Sequence, residues 1–399
     1  MTVRVNKGSF NIREKLTELG RRFGLKGSEL ARAETVQDAR NVISAGRKNL
    51  IINGDMRVSQ RLGATGENDL TGSSDGFGVD RFRSWQAGGG ELKLQQSTNA
   101  PPGFTNSLLH TVNTADTSVA AGDYYMIQQR IEGLNTHHLN WGTSNAKDVT
   151  LSFWVRSTVS GVYSVSLWRD NQTYNYVTSY EINNVNTWEY KTVTIPGPTG
   201  GTWATNTGTG IGIWWDLGSG TTYSTATTET WGQNNNFRVP SQTSWIGITN
   251  AEFRLTGVQL EVGRNATEFE HRHIGEELAL CQRYFFTTKE FGVQYQGAVM
   301  GIGMGSNKIT MGTFRFPVPM RSYASGNITM KRPSDGVVNA AHQYYSITNS
   351  SDTTATNVAF STFVTAIDVG TTGFPYFNTG GNVVMGSGYL FHIDANAEL

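Results

Sequence analysis

Val149-Thr-Leu-Ser-Phe-Trp-Val155 alternates apolar and polar residues, so that Val149, Leu151, Phe153 and Val155 share one face of an extended chain. A period of two with one apolar side describes a half-buried antiparallel strand. The pattern recurs outward from this stretch. Val162 to Trp168 places Tyr163, Val165 and Leu167 together, and Trp188 to Ile195 alternates until Pro196 ends it. From Pro196 to Asn236 the chain is dense in Gly, Thr, Ser and Asn, broken only by Ile211-Gly-Ile-Trp-Trp-Asp-Leu217, which reads as one strand between long loops. Strands this closely spaced, with no helical period between them, predict an antiparallel β-sandwich of the jelly-roll kind over residues 49–272.

The ends of the chain read differently. Residues 1–48 hold 11 Lys/Arg against 5 Asp/Glu, whereas the whole chain balances 32 basic with 32 acidic side chains. Asn11 stands three residues before Glu14 as a capping box, and Ile12, Leu16, Leu19 and Phe23 follow on one helical face until Gly24. A second short helix fits Val36 to Ala45. Two short helices cannot bury a core alone, which leaves an arm folded onto its own protein or a docking segment completed by a partner. Beyond the sandwich, Glu276 to Tyr284 is rich in helix formers, with Leu278, Cys281 and Phe285 on one stripe, and predicts a linking helix over 273–285. Alternation resumes at Thr313 to Met320, interrupted by Pro317 and Pro319, and again from Val383 to Ile393. Residues 286–399 are therefore expected to form a second, smaller β-domain. All ten tryptophans lie between Trp85 and Trp245, so the two β-regions are not copies of one another.

Composition excludes several functions. A net charge of zero argues against a nucleic-acid-binding protein. The single thiol, Cys281, suits a small buried apolar position and can form neither an internal disulfide nor a thiolate metal cage. No apolar run is long enough to span a bilayer, and Met1-Thr-Val-Arg4 opens no signal peptide, so synthesis in the cytoplasm without membrane insertion is expected. Gly72-Ser-Ser-Asp-Gly76 has the letters of a serine-hydrolase elbow without its strand and helix, and reads as a turn. His271-x-His273 has no recognisable third metal ligand, and no phosphate loop is present. No catalytic residue, metal site or cofactor is assigned.

Aromatic residues carry the candidate binding positions. Trp154 and Trp168 fall opposite the core-facing residues of their strands; if those strands are neighbours, both indoles line one concave face with Arg156 and suit the apolar face and hydroxyl rim of a sugar. The competing reading makes them a second core layer. In Trp214-Trp215 one ring must point inward and the other outward.

Several segments resemble tail-fibre or receptor-binding virion proteins of short-tailed phages of marine bacteria and cyanobacteria. They are Gly8-Ser-Phe-Asn-Ile-Arg-Glu-Lys-Leu16, Ala45-Gly-Arg-Lys-Asn-Leu-Ile-Ile-Asn-Gly54, Gln60-Arg61, Asp80-Arg81-Phe82, Thr256-Gly-Val-Gln-Leu-Glu-Val-Gly263, Ala266-Thr-Glu-Phe-Glu-His-Arg272, Glu276 to Tyr284 and Ala397-Glu-Leu399. The opening Asn49 to Asp55 is also similar to jelly-roll carbohydrate-binding modules, although Met56-Arg57 stands where their calcium-holding acid belongs. The resemblance implies a non-enzymatic virion component of the phage tail. Its Ile12, Leu16, Leu19, Phe23 stripe would dock to another virion protein, it would be a homo-oligomer, expected to be a trimer, and it would adhere to host surface glycans. Its distal loops, with Tyr344, Tyr345 and Tyr376, would then cluster at the tip. The alternatives are a purely structural fibre or decoration protein, and a polysaccharide depolymerase, whose long β-helical repeat is not visible here.

Overall fold

The computed structural model describes residues 47–170 and 173–289. Beyond these it describes the strands named below, residues 316–322 and residues 388–399. The docking stripe Ile12, Leu16, Leu19 and Phe23 lies outside the described residues.

Two antiparallel sheets form a sandwich. With strands numbered in chain order, one sheet runs β1 (Glu67–Leu70), β4 (Glu91–Ser97), β5 (Ser107–Thr114), β13 (Glu252–Val262), β7 (Val149–Ser157), β10 (Glu189–Ile195). The other runs β12 (Trp231–Gly232), β9 (Asn175–Ile182), β8 (Gly161–Trp168), β11 (Thr209–Asp216), β6 (Tyr124–Glu132), β3 (Phe82–Ala87), β2 (Ser74–Val79). Their inner faces bury Leu151, Phe153, Leu255 and Leu260 against Tyr163, Leu167, Ile213 and Trp215. A bulge at Gly257, which has φ +60, shifts β13 by one position against β7 and keeps Leu255 and Val258 both inside.

Below the sandwich lies a buried polar junction. The side-chain oxygen of Asn49 accepts from the N–H groups of Ile51 and Leu260, and its amide donates to the Val258 carbonyl. Asn53, in the left-handed region, donates to the carbonyls of Val58 and Asp80, and its backbone N–H reaches Glu277. Glu277 belongs to the helix α1 (Ile274–Gln282), capped by the His273 ring accepting from the Gly275 N–H. Cys281 of α1 is fully buried with Ile52, Val58 and Tyr284. Burial pushes its thiol well up, as befits a packing role.

After α1, β14 (Phe285–Thr287) pairs with the last strand, β23 (Gly388–Asn396). Around β23 gather β15 (Val299–Gly305), β16 (Lys308–Thr310), β18 (Ile328–Lys331), β19 (Gln343–Ser346), β20 (Ser351–Thr354) and β22 (Phe377–Asn378), while β17 (Thr313–Phe314) pairs β21 (Thr372–Gly373). The alternation read across Thr313 to Met320 is strand only to Phe314; residues 316–320, with both prolines, are irregular. A proline has no N–H for a ladder, and here Phe316 and Met320 are buried instead. Next to them Arg321 donates to the carbonyls of Ala397, Glu398 and Thr207.

Four of the segments quoted for their resemblance to phage proteins, those holding Gln60-Arg61, Asp80-Arg81, Tyr284 and Glu398, meet in one place. Arg61 and Arg81 both donate to the Glu398 carboxylate, Gln60 donates to Asp80, and the Arg81 guanidinium lies over the Tyr284 ring at 3.4 Å. This set of residues closes the junction between sandwich, helix and C-terminus.

Candidate functional site

Trp154 and Trp168 do not share a face. β7 belongs to the six-stranded sheet and β8 to the seven-stranded one, so the two indoles point out of opposite sides of the sandwich. The chain crosses between sheets in the short link 158–160 instead of forming a hairpin. Trp154 lies beside Tyr190, ring centroids 5.3 Å apart. Its neighbour Arg156 is engaged by Asn186, with Nε donating to the backbone carbonyl at 2.8 Å and Nη2 to the side chain at 3.4 Å. This face offers two rings and an occupied cation. Trp168 is 1% exposed and packs with Met126, Trp214 and Phe237 in a second apolar layer. The in-and-out reading of Trp214-Trp215 holds: Trp215 joins the main core and Trp214 the outer layer. Tyr344 and Tyr345 are on β19, with their side chains outside the described residues, as is all of Tyr376.

The outer face of the seven-stranded sheet is chemically richer. Strand register places Arg83, Gln128, Trp214 and Ser166 in one cross-strand row, Arg130, Gly212 and Trp168 in the next, and Trp85, Met126 and Asp216 in the row on the other side. Gly212 is required there, because a Cβ would sit inside the Trp168 indole. The loop after β11 covers the middle of this face: Phe237 meets Trp214 edge-on at 4.9 Å, and Tyr223 stacks on Phe237 at 4.6 Å. Asp216 starts that loop, accepting from the N–H groups of Gly218 and Ser219. Burial raises its carboxyl to about 6 despite those bonds and the nearby Arg238.

Toward β3 the cover ends. Trp85, Tyr124 and Tyr223 are partly exposed in a continuous edge-to-face series, with centroid spacings of 5.9 and 6.0 Å. The Arg83 guanidinium lies 4.9 Å from the Trp85 ring. Beside them Arg130 is partly exposed. Its pKa is lowered to about 10 by burial and by the Arg83 charge, with Arg81 and Arg321 adding to the effect and Asp170 opposing it. Sequence reading passed over Arg83-x-Trp85 and Gln128-x-Arg130; the available signal was their alternation with the buried Phe82, Ser84, Ile127 and Gln129. A further aromatic group, Tyr174, Trp203 and Trp231, stands at the β12 edge, where Tyr174 and Trp231 stack at 5.7 Å. Nearby, Arg169 and Gln233, Asn234 and Asn235 line an open cleft of about 430 Å³. Among the described residues no group of three or more His, Cys, Asp or Glu could hold a metal ion.

No family model matches the sequence, and no curated protein matches it. Solved structures to which the chain is similar include the enzymatically active domain of tailspike protein 4 of bacteriophage CBA120, 13% identical over 54% of this chain with a TM-score of 0.27. The chain covers 21% of that tailspike. A CBM4 carbohydrate-binding module is 14% identical over 53% of this chain and 98% of its own, with a TM-score of 0.27. The family 11 carbohydrate-binding module of Clostridium thermocellum, in complex with a β-1,3-1,4-mixed-linked tetrasaccharide, is 15% identical over 51% of this chain and 98% of its own, with a TM-score of 0.25.

Proposed function

We propose that this protein is a non-catalytic glycan-binding component of a phage tail, adhering to the host surface through the outer face of its seven-stranded sheet. The observation that carries the glycan reading is the partly exposed series Trp85, Tyr124, Tyr223 bordered by Arg83 and Arg130. Rigid rings cover the apolar faces of a sugar, and adjacent polar groups reach its rim. The quoted sequence resemblance supports the virion assignment. In this reading residues 1–48 dock to another tail protein through Ile12, Leu16, Leu19 and Phe23, residues 49–272 bind, residues 273–285 join, and residues 286–399 form the distal part of a trimer. Several weak sites per particle then add through avidity.

Host envelope polysaccharide incubated with the purified chain tests the binding part. Retention without shortening of the polymer is expected, weakened about tenfold or more by Trp85→Ala with Tyr124→Ala, each ring contributing roughly 1 kcal/mol. Unchanged retention in that double variant, or a time-dependent fall in polymer length, overturns it. Leu16→Asp with Leu19→Asp tests the docking part: the variant should fold and fail to join particles.

A further inference from the structure

We propose that this face selects an anionic glycan, whose carboxylate or sulfate is held by Arg130, Arg83 and Gln128 while the sugar ring lies against Trp85. The proposal rests on the glycan-binding reading above and adds the chemical class of the ligand.

The argument begins with Gln128, which is 1% exposed. Its Oε1 accepts from Trp214 Nε1 at 3.1 Å and from Arg130 Nε at 3.2 Å. Two donors on that atom fix the amide's orientation, so its Nε2 faces the other way. That NH2 group is buried and has no partner. An unpaired buried donor in a native fold calls for an acceptor that arrives from elsewhere.

The neighbouring groups are donors as well. Among the described residues Arg130 donates a hydrogen bond only through its Nε; its guanidinium lies 5.2 Å from the Trp168 ring, and its two Nη groups have no acceptor there. Arg83 places its Nε on Asp75 at 2.8 Å and leaves both Nη groups without an acceptor there. The nearby carboxylates are already engaged: Glu398 by Arg61 and Arg81, Glu132 by Arg283, and Asp80 by Gln60 and Arg61. Asp170, which is exposed, adds an opposing charge near Arg130. The arrangement is thus a cluster of N–H donors, an amide NH2 and the Nη groups of two arginines, whose complement is an oxyanion.

Its shape limits what enters. Phe77, Arg81, Arg83, Gln128, Arg130, Glu398 and Leu399 border a recess of about 10 Å³, room for one water-sized group. One oxygen of a carboxylate or sulfate fits, and the sugar that bears it stays outside, on the side where Arg83 already approaches the Trp85 ring. Neutral hydroxyls can fill the recess sterically without matching its charge.

Calorimetric titration of the full chain with three hexasaccharides tests this: a neutral β-glucan, a polyuronate and a sulfated galactan. At low salt at least one anionic hexamer should bind tenfold or more tighter than the neutral one, with the advantage shrinking at high salt. The two anionic arms separate carboxylate from sulfate. Arg130→Gln should bring the anionic and neutral hexamers to within about twofold of each other, and Arg83→Gln should reduce the advantage in a protein whose melting temperature is unaltered. Equal affinity for neutral and anionic hexamers, or an undiminished advantage in both arginine variants, overturns the charge selection and leaves the glycan reading standing. Binding of none of the three, together with no retention of host polysaccharide, overturns both.

Discussion

Arg283 and Glu132 are 151 residues apart in sequence and meet through two parallel hydrogen bonds, Nε to Oε1 at 2.8 Å and Nη2 to Oε2 at 2.9 Å. Glu132 ends β6 and is 1% exposed, while Arg283 follows the last turn of α1. This fork joins the sandwich to the helix, and its geometry is the one in which arginine is not replaceable by lysine.

Arg283→Ala leaves a buried carboxylate without its cation. A loss of about 2–3 kcal/mol in urea unfolding is expected, discounted for the partial exposure of the arginine. Glu132→Leu combined with Arg283→Met should recover most of it. A single variant as stable as the parent would show that water replaces the guanidinium.

Two buried groups make stability depend on pH in opposite directions. Burial raises the folded pKa of Asp216 to about 6 from the ordinary aspartate value of 3.8, so it holds a proton more tightly when folded. Its contribution is fully present below the unfolded value and is lost as pH rises through about 6, a change of about 3 kcal/mol. The stability difference between the parent and Asp216→Asn should fall by that order between pH 3.5 and pH 7. His110, fully buried with its ring 2.5 Å from the Ser84 hydroxyl, is lowered to about 3 by burial. Its contribution is present above 6.5 and lost as pH falls toward 3, so His110→Gln should show the reverse trend. Parallel pH curves for the parent and either variant would refute the corresponding assignment.

Gly212→Ala forces the Trp168 indole off its position. Overpacking of this kind costs about 1–3 kcal/mol. Chemical unfolding should register the loss, and tryptophan emission should shift red as the outer layer opens. An unshifted spectrum with unchanged stability would mean that the strand pair β8 and β11 yields without disturbing the ring.

Trp168 and Trp85 should separate packing from binding. Trp168→Ala removes a ring that is 1% exposed and should cost about 3–5 kcal/mol. Trp85→Ala, at a partly exposed ring, should cost about 1 kcal/mol and lower glycan retention. Retention lost in Trp168→Ala under conditions where that variant is fully folded would return the binding role to Trp168.

The sequence by itself determined which side of the sandwich strands faces the main core. Leu151, Phe153 and Val155 face the core because a period of two obliges them to, and the same parity turns Trp215 in and Trp214 out. The helix former content around Cys281 and the Gly/Thr-rich spacing of the strands were equally local signals, and the helix and the sandwich followed from them. Only the tertiary structure decided which strands are neighbours. β7 and β8 are consecutive, yet one pairs with β13 and β10 and the other with β11 and β9, so Trp154 and Trp168 ended on opposite sides. Alternation carries no information on the sheet to which a strand belongs, because that choice rests on pairing with strands distant in sequence, such as Leu255 of β13 opposite Val155 of β7. The donor cluster of Arg83, Gln128 and Arg130 arises in the same manner, from two strands brought into register by the fold.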